Sequence, residues 1–522
     1  MQSSEMIEWI KQIESESPIA VDDIKLMDIH VWPIIRIRLF FKTLYLENGL
    51  RDGQARKSLA SIFEDLKNYF HALVKDNNKN DSLRTKADIV FLSDGVSFFP
   101  TKQGYVDKYC DPIMDRCHQS GLKTCLLTPM HEYCVPRKSK SIFIQPYIDF
   151  AKLAKAIKLL TFRWKSKKNL TELNHFVNFL NKQKIFETPI SLMDIVGDIF
   201  YVRSAANRYK KLLKKFEPTM AFSVCYYSLP GLGFNVACDE LDIPSVDIQH
   251  GVQSDAHIAY GHWTKIPAEG YGALPNYFWC WSAEEAAVIT AWNQKVTKYH
   301  QPIIGGNLWL RDWHHYQGSD EQSQELNSKL QTPAYKNKKH ILVTLQPIYF
   351  SIKEFSALFE CMKKSSPDWV WWIRLHPTML NDKNKVRHML QSEGVNDFEL
   401  ELASEVALYD LLPVMHVHVT HSSATVLEAY QFGICSILLS EVGRELFQNQ
   451  VRAKKAIYAP NENEIAGAIE LYINHKKANF NLETNNLAIE EHGFKELMDA
   501  SKLMHKFKIP IDVGEKISDN SM

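Results

Sequence analysis

From residue 87 onward, short apolar runs alternate with longer stretches of helical spacing, and this alternation restricts the fold more than any other feature. Runs at 89–92, 123–128, 220–224, 245–249, 277–281 and 300–305 read as strands, with helices at 107–120 and 233–241. A strand–helix–strand succession builds parallel pairs with helices over the sheet faces. A polar, apolar-poor stretch at 313–339 interrupts the pattern, and a second series follows. Its strands are expected at 341–345, 369–375, 398–401, 416–420, 435–439 and 456–458, and its helices at 352–364, 383–392, 406–412 and 425–432. The class is α/β: two doubly wound, Rossmann-type domains facing a cleft, preceded by an extra helical segment. The expected divisions are a helical segment over 1–85, an α/β domain over 86–310, a linker over 311–339, a second α/β domain over 340–508 and a disordered tail over 509–522.

Composition narrows the function classes. Lys plus Arg (61) equal Asp plus Glu (61), which argues against a general nucleic-acid binder. Nine cysteines are scattered with no Cys-x-x-Cys pair, so no zinc ribbon or thioredoxin-type site is supported, and a reducing cytoplasm fits best. The first sixteen residues lack a signal peptide's basic and apolar regions, and no apolar run approaches the ~18 residues that span a bilayer. A cytoplasmic protein is expected, at most peripheral to the inner face of the membrane. The basic amphipathic stretch 150–168 fits either an anionic membrane surface or packing of its apolar face on the first sheet.

The chemistry-bearing residues fall where strands are expected to end, the edge at which open α/β sheets bind ligands. Arg374-Leu375-His376-Pro377 closes one strand; Pro377 fixes His376 there, to meet a phosphate or ribose or simply to sit in a turn. Ser422 and Ser423 open the helix that carries Glu428. Their hydroxyls suit a phosphate oxygen or plain helix capping, and Glu428 suits a ribose hydroxyl or solvent. Gln249-His250-Gly251 follows another strand, and its loop continues to His257, Tyr260 and His262, a density of imidazoles and aromatics that suits a sugar. That histidine spacing matches no standard metal-ligand pattern, so no metal is expected. Ser93-Asp94-Gly95 offers a carboxylate at a strand end, as a general base or as an Asp-Gly turn. Asp111-Pro112 reads as a helix start, and Gly305-Gly306 as a place for backbone to approach a ligand or as a hinge.

Arg-Leu-His-Pro after a strand, followed about 45 residues later by Ser-Ser, resembles the His-Pro and Ser-Ser motifs of GT-B glycosyltransferases: the bacterial sialyltransferases, Kdo transferases and polyglycerol-phosphate transferases. The Gln-His-Gly segment with a later His-x-x-Tyr resembles the loop of capsule and O-antigen glycosyltransferases. The resemblance spans roughly residues 87–475. It implies that His376 contacts a donor nucleotide, that Ser422 and Ser423 bind its phosphate, and that Asp94 stands where those sialyltransferases carry their base. Ser93 departs from the acidic residue expected before it, and His250 is a rival base. No Asp-x-Asp motif is present, so the resemblance implies no metal and no cofactor beyond a CMP- or other NDP-activated sugar. The implied reaction moves a sugar to a saccharide or lipid-linked acceptor of a capsule or lipopolysaccharide. The alternatives are a nucleotide-sugar 2-epimerase-like enzyme and a non-catalytic polysaccharide-assembly protein of the same fold.

Overall fold

The computed structural model describes residues 3–47, 86–101, 104–129, 139, 141–162, 168–294, 299–313, 321–346, 352–474 and 497. Positions 48–85 of the expected helical segment and the tail at 509–522 lie outside them. The strands in chain order are β1 (Lys25–Leu26), β2 (Ile29–His30), β3 (Ile89–Leu92), β4 (Phe98–Thr101), β5 (Gly104–Asp107), β6 (Thr124–Thr128), β7 (Ser141–Phe143) and β8 (Met220–Val224). They continue as β9 (Ser245–Ile248), β10 (Tyr277–Cys280), β11 (Gln301–Ile304), β12 (Lys339–Thr344), β13 (Trp369–Arg374), β14 (Val417–Thr420), β15 (Ser436–Leu438) and β16 (Ala456–Tyr458).

Two wholly parallel sheets result, and the expected doubly wound α/β class is what the chain adopts. The first runs β11-β10-β9-β8-β3-β6-β7 and the second β13-β12-β14-β15-β16. Helices cover such a sheet on both faces, which is why central strands like β3 and β8 are buried at every residue. The helices start where the sequence supplies caps: Ser191 before Leu192–Phe216, Ser228 before Leu229–Asp239 and Ser282 before Ala283–Asn293 each accept a backbone N–H of the first turn.

Several expectations are corrected. The stretch at 398–401 makes only a bridge from Glu399 to Trp372, because the Glu399 carboxylate caps the helix Glu401–Glu405 through Leu402 N, 2.9 Å. The helix expected from 107 starts at Cys110, and Asp107 instead ends an antiparallel hairpin, β4–β5. The linker at 311–339 holds the helix Glu321–Leu330, whose Leu326 is buried with Trp309, Trp313 and Trp372. Leu497, placed in the second domain by its sequence position, is buried in the first-domain core beside Phe91 and Ile113. The amphipathic helix (Gln145–Phe162 here) packs on the helix Leu192–Phe216, with Lys155 Nζ 2.8 Å from Asp198 and Arg208 stacked 3.7 Å over Phe150, and its Ala151 joins the core that holds Leu92 and Leu127 of the sheet. No helix among the described residues is long and apolar enough to cross a membrane.

The N-terminal segment is built into the first domain. Its helices Ser3–Glu16 and Trp32–Glu47 bring Glu14 and Arg36 together with both side chains fully buried, 2.6 Å apart. Arg36 also donates to the carbonyls of Ile258 (3.0 Å), Gly261 (2.5 Å) and His262 (3.1 Å), and its guanidinium lies 4.2 Å over Trp263. Glu14 accepts from Trp32 Nε1 (2.8 Å), Thr264 N (2.9 Å) and the Thr264 hydroxyl. The loop that follows β9 is thereby fastened at 258–264. Removing one partner strands a buried charge, so Arg36→Met should lower unfolding free energy by about 3–5 kcal/mol. Adding Glu14→Gln should recover part of that loss. Urea denaturation of the three proteins, with hydrogen exchange read at 258–264, checks both; equal stability of parent and Arg36→Met would contradict the clamp.

Candidate functional site

In each sheet the winding direction reverses once. In the first, β3 leads outward to β6 and β7, whereas β8 leads the other way to β9, β10 and β11. In the second, β12 leads to β13, whereas β14 leads to β15 and β16. The crevice at such a reversal, at the carboxyl ends of the strands, is left open by the diverging connections and takes ligands. Here those ends are Ser93-Asp94 with Cys225-Tyr226-Tyr227 in the first sheet, and Leu345-Gln346 with His421-Ser422 in the second.

On the first side, Gly95 turns the chain with φ +81°, and a Cβ there would meet Pro129 at 2.2 Å. Asp94 accepts from Val96 N (2.9 Å), Ser97 N (3.1 Å) and Ser97 Oγ (2.7 Å), so its carboxylate holds its own loop together. Ser93 Oγ donates to buried Asp107, 2.5 Å. Asp107 also accepts from Tyr109 N and Cys110 N at 3.0 Å each, capping the helix Cys110–Gln119, and burial next to Asp94 and Asp111 pushes its carboxyl up to about 6. Asp111 accepts from Asp107 N, 2.5 Å.

His250 lies at the end of β9. Its Nδ1 faces the Ile248 carbonyl at 3.3 Å, and a carbonyl only accepts, so that nitrogen carries the proton. Nε2 then presents its lone pair, with the Tyr227 hydroxyl 3.3 Å away. Burial holds the imidazole below its ordinary pKa, with the Asp94 charge acting against it. Gln249 is fully buried and structural: Nε2 donates to Gly251 O (2.9 Å) and Oε1 accepts from Trp281 N (2.7 Å). His257 lies against Tyr227 (ring centroids 5.3 Å) and Tyr260 (5.1 Å), and burial drives its pKa down to about 4. Tyr260 donates to Asp247 Oδ2, 3.2 Å, beneath the loop.

On the second side, Arg374 Nη1 donates to the carbonyls of Ala403 (2.7 Å) and Val406 (2.6 Å), and burial lowers the guanidinium to about 10. His376 is exposed and caps the 3₁₀ helix Pro377–Asp382. Thr378 N donates to His376 Nδ1 at 3.3 Å, so the neutral ring carries its proton on Nε2, the tautomer opposite to that of His250. Desolvation and the charge of Lys108 lower its pKa. Ser422 donates to Gln346 Oε1 from N (3.0 Å) and from Oγ (3.1 Å). Ser423 N donates to Thr420 Oγ1 (3.2 Å), and Ser423 Oγ to Thr425 Oγ1 (3.1 Å). The helix Thr425–Gln431 is capped at Ala424, so both serines precede the cap. Glu428 accepts from the Tyr409 hydroxyl, and burial raises its carboxyl against the pull of Lys108 and Arg374.

The two sides meet at Lys108. Its ammonium feels Glu428 and Arg374 from the second domain and Asp94 and Asp107 from the first. Val252, past His250, packs against Val426, Leu438 and Phe447 of the second domain, so the Gln-His-Gly loop reaches the helix that carries Glu428. Gly305 and Gly306 are elsewhere: a Cβ on Gly305 would meet the Trp279 ring at 2.1 Å, and Trp279 Nε1 donates to Gly306 O, 2.9 Å. They make room for a buried tryptophan. Sequence reasoning missed Lys108, Asp107, Tyr109, Tyr227 and Tyr409. The one available signal was the extended 98–107 segment around Gly104, which a helical reading of 107–120 obscured.

No protein-family model matches the chain, and no curated protein matches it. Among solved structures, the chain is similar to S. aureus MnaA in its UDP co-structure (12% identity, TM-score 0.48, covering 82% of this chain and 99% of that one). It is similar to Methanocaldococcus jannaschii UDP-GlcNAc 2-epimerase in complex with UDP-GlcNAc and UDP (12% identity, TM-score 0.48, covering 79% and 99%). It is also similar to the spinosyn rhamnosyltransferase SpnG (10% identity, TM-score 0.40, covering 81% and 100%). Likenesses this distant assign no activity.

Asp247 allows a check on the loop's foundation. Buried on β9, it accepts from Tyr226 N (2.9 Å) and Tyr260 Oη (3.2 Å), and burial raises its carboxyl to about 8. An unfolded aspartate titrates near about 3.9, so the folded form binds the extra proton between the two values and loses stability as pH rises through that window. Asp247→Asn should therefore be more stable than the parent at pH 8, with the gap closing toward pH 4. Urea denaturation across that range measures it; a gap independent of pH would place the proton elsewhere.

Proposed function

We propose that the chain is a glycosyltransferase that moves a sugar from a nucleotide-activated donor to a saccharide or lipid-linked acceptor of a bacterial surface polysaccharide. One observation carries the reading: strand-end residues of the two sheets come together around Lys108, which feels Asp94 and Asp107 from the first domain and Glu428 and Arg374 from the second, with a histidine that presents a lone pair on the first side and one that presents an N–H on the second. The surface-polysaccharide acceptor comes from the resemblance of the Gln-His-Gly and His-Pro segments.

The second domain takes the nucleotide and the first takes the acceptor. His250 Nε2 removes the proton of the acceptor hydroxyl as its oxygen bonds to the anomeric carbon. The bond from that carbon to the phosphate oxygen breaks, and the electron pair leaves on the phosphate. His376 Nε2–H donates a hydrogen bond to that developing charge. Asp94, already accepting three donors in its own loop, acts on His250 by charge and not as the base. Ser422 and Ser423 shape the phosphate side.

A thermal-shift panel of CMP, CDP, UDP, GDP and dTDP tests the nucleotide. At about 100 times its dissociation constant one of them should add roughly 2.7 kcal/mol, and His376→Ala should lose most of that. No shift with any nucleotide would sink the enzyme reading and favour the assembly protein. With donor and acceptor in hand, His250→Gln should cut turnover by roughly 10²–10⁴-fold with nucleotide binding intact. Because burial holds His250 below its ordinary value, the acid limb of kcat/KM should fall below about pH 6.5. Inversion of the donor sugar at carbon 2 without any acceptor would show the epimerase instead.

A further inference from the structure

The donors on the second-domain side are already engaged within the protein. Ser422 spends both N–H and hydroxyl on Gln346, Ser423 spends its hydroxyl on Thr425 and its N–H on Thr420, and Arg374 holds carbonyls of its own domain through Nη1. Lys108 differs. Its Nζ makes no hydrogen bond and no ion pair with any described residue; the residue is partly buried, and desolvation lowers the ammonium's pKa while the charges of Glu428, Asp94 and Asp107 act to keep it protonated.

Its placement is rigid. Lys108 N donates to Ser97 O, 2.9 Å, extending the β4–β5 pairing by one residue and standing opposite the loop that Asp94 holds. Tyr109, its neighbour, donates to the His250 carbonyl, 2.9 Å. Val106, two residues earlier and so on the same face of the strand, is fully buried against a cluster that contains Trp309, Trp313 and Tyr409, and Phe99 packs on Trp313 with ring centroids 5.1 Å apart. The hairpin is thus wedged between the domains, and the face that carries Lys108 is turned toward Tyr409 and Glu428. His376, whose Nε2–H is available, lies within the electrostatic reach of Lys108.

We infer that Lys108 is the cationic half of a phosphate site completed by His376 Nε2–H from the opposite domain, and that it holds the phosphate attached to the sugar. The inference rests on the nucleotide-sugar reading above and adds the charge which that reading lacked. An anion seated there touches both domains at once. In the ligand-free protein Glu428 is the second-domain carboxylate whose charge acts on Lys108, and an incoming phosphate competes with it for the ammonium.

The test uses the full chain and Lys108→Met, with titration calorimetry of the nucleotide found above and its parent nucleoside, and melting in inorganic pyrophosphate. Loss of one charge-assisted contact should weaken the nucleotide by about 10- to 100-fold and leave the nucleoside unchanged. Stabilisation by pyrophosphate should vanish. Lys108→Arg should keep most nucleotide affinity, which separates lost charge from a damaged fold. Unchanged nucleotide affinity in Lys108→Met, or an equal drop for nucleotide and nucleoside, would overturn the assignment. A wild type that binds pyrophosphate through Lys108 but no nucleotide would keep the anion site and remove the nucleotide-sugar reading. A wild type stabilised by neither would remove both.

Discussion

The buried Glu14–Arg36 pair is the constraint on which the candidate site rests. A fully desolvated ion pair is costly unless its remaining donors and acceptors are met, and here three carbonyls and three further donors meet them. Those carbonyls belong to 258–262, a loop without regular secondary structure that must still present His257 and Tyr260 in fixed positions. A guanidinium can satisfy several divergent carbonyls at once because its donors form a rigid fork. The helical N-terminal segment, whose role the sequence left open, is therefore what makes the loop after β9 a surface rather than a tether. Tyr226 repeats the device from beneath, donating to the Ala259 carbonyl while its N–H holds Asp247.

Parallel winding explains why the chemistry gathers where it does. Every βα connection leaves a parallel strand at its carboxyl end, so residues just past β3, β8, β9, β13 and β14 share one rim in each domain. Burial then sets the charge states. It pushes Asp107 and Glu428 up and His250, His257 and His376 down, so each group is biased toward its neutral form. In the proposed reaction, neutral imidazoles of opposite tautomer let one histidine accept a proton while the other donates a hydrogen bond.

The strands were legible because a buried parallel strand is a short apolar run, and β3, β8 and β16 fall within the limits their sequences suggest. What periodicity could not show is pairing across distance. The β4–β5 hairpin lay next to a helix start, and Asp107, reading as a first-turn carboxylate, served both elements. Leu497 reads as one apolar residue among many until the first-domain core closes around it. The site was legible as positions and not as roles. His376 and His250 stand at strand ends as their motifs suggest. The hydroxyls of Ser422 and Ser423, which local sequence offers to a ligand, are drawn instead to Gln346 and Thr425, one of them a residue 76 positions away. Gly305 and Gly306, which read as a ligand approach or hinge, serve Trp279, 26 positions upstream of the first of them.

These partnerships also explain why a lysine matters where the motif's serines do not suffice. A phosphate bound only by neutral donors already engaged within the protein must break a protein hydrogen bond for each one it gains, so the net return is small. The Lys108 Nζ gives up no hydrogen bond within the protein on meeting a phosphate; burial lowers its pKa, and an arriving anion favours the charged form and is attracted to it more strongly than in open water. The hairpin that carries Lys108 is held by aromatic packing against Trp309 and Trp313, outside either sheet, so the charge sits between the domains and belongs structurally to the first. In the proposed reaction, a donor nucleotide seated on the second domain would be met by the first through its phosphate, and that contact would link nucleotide binding to the His250 side.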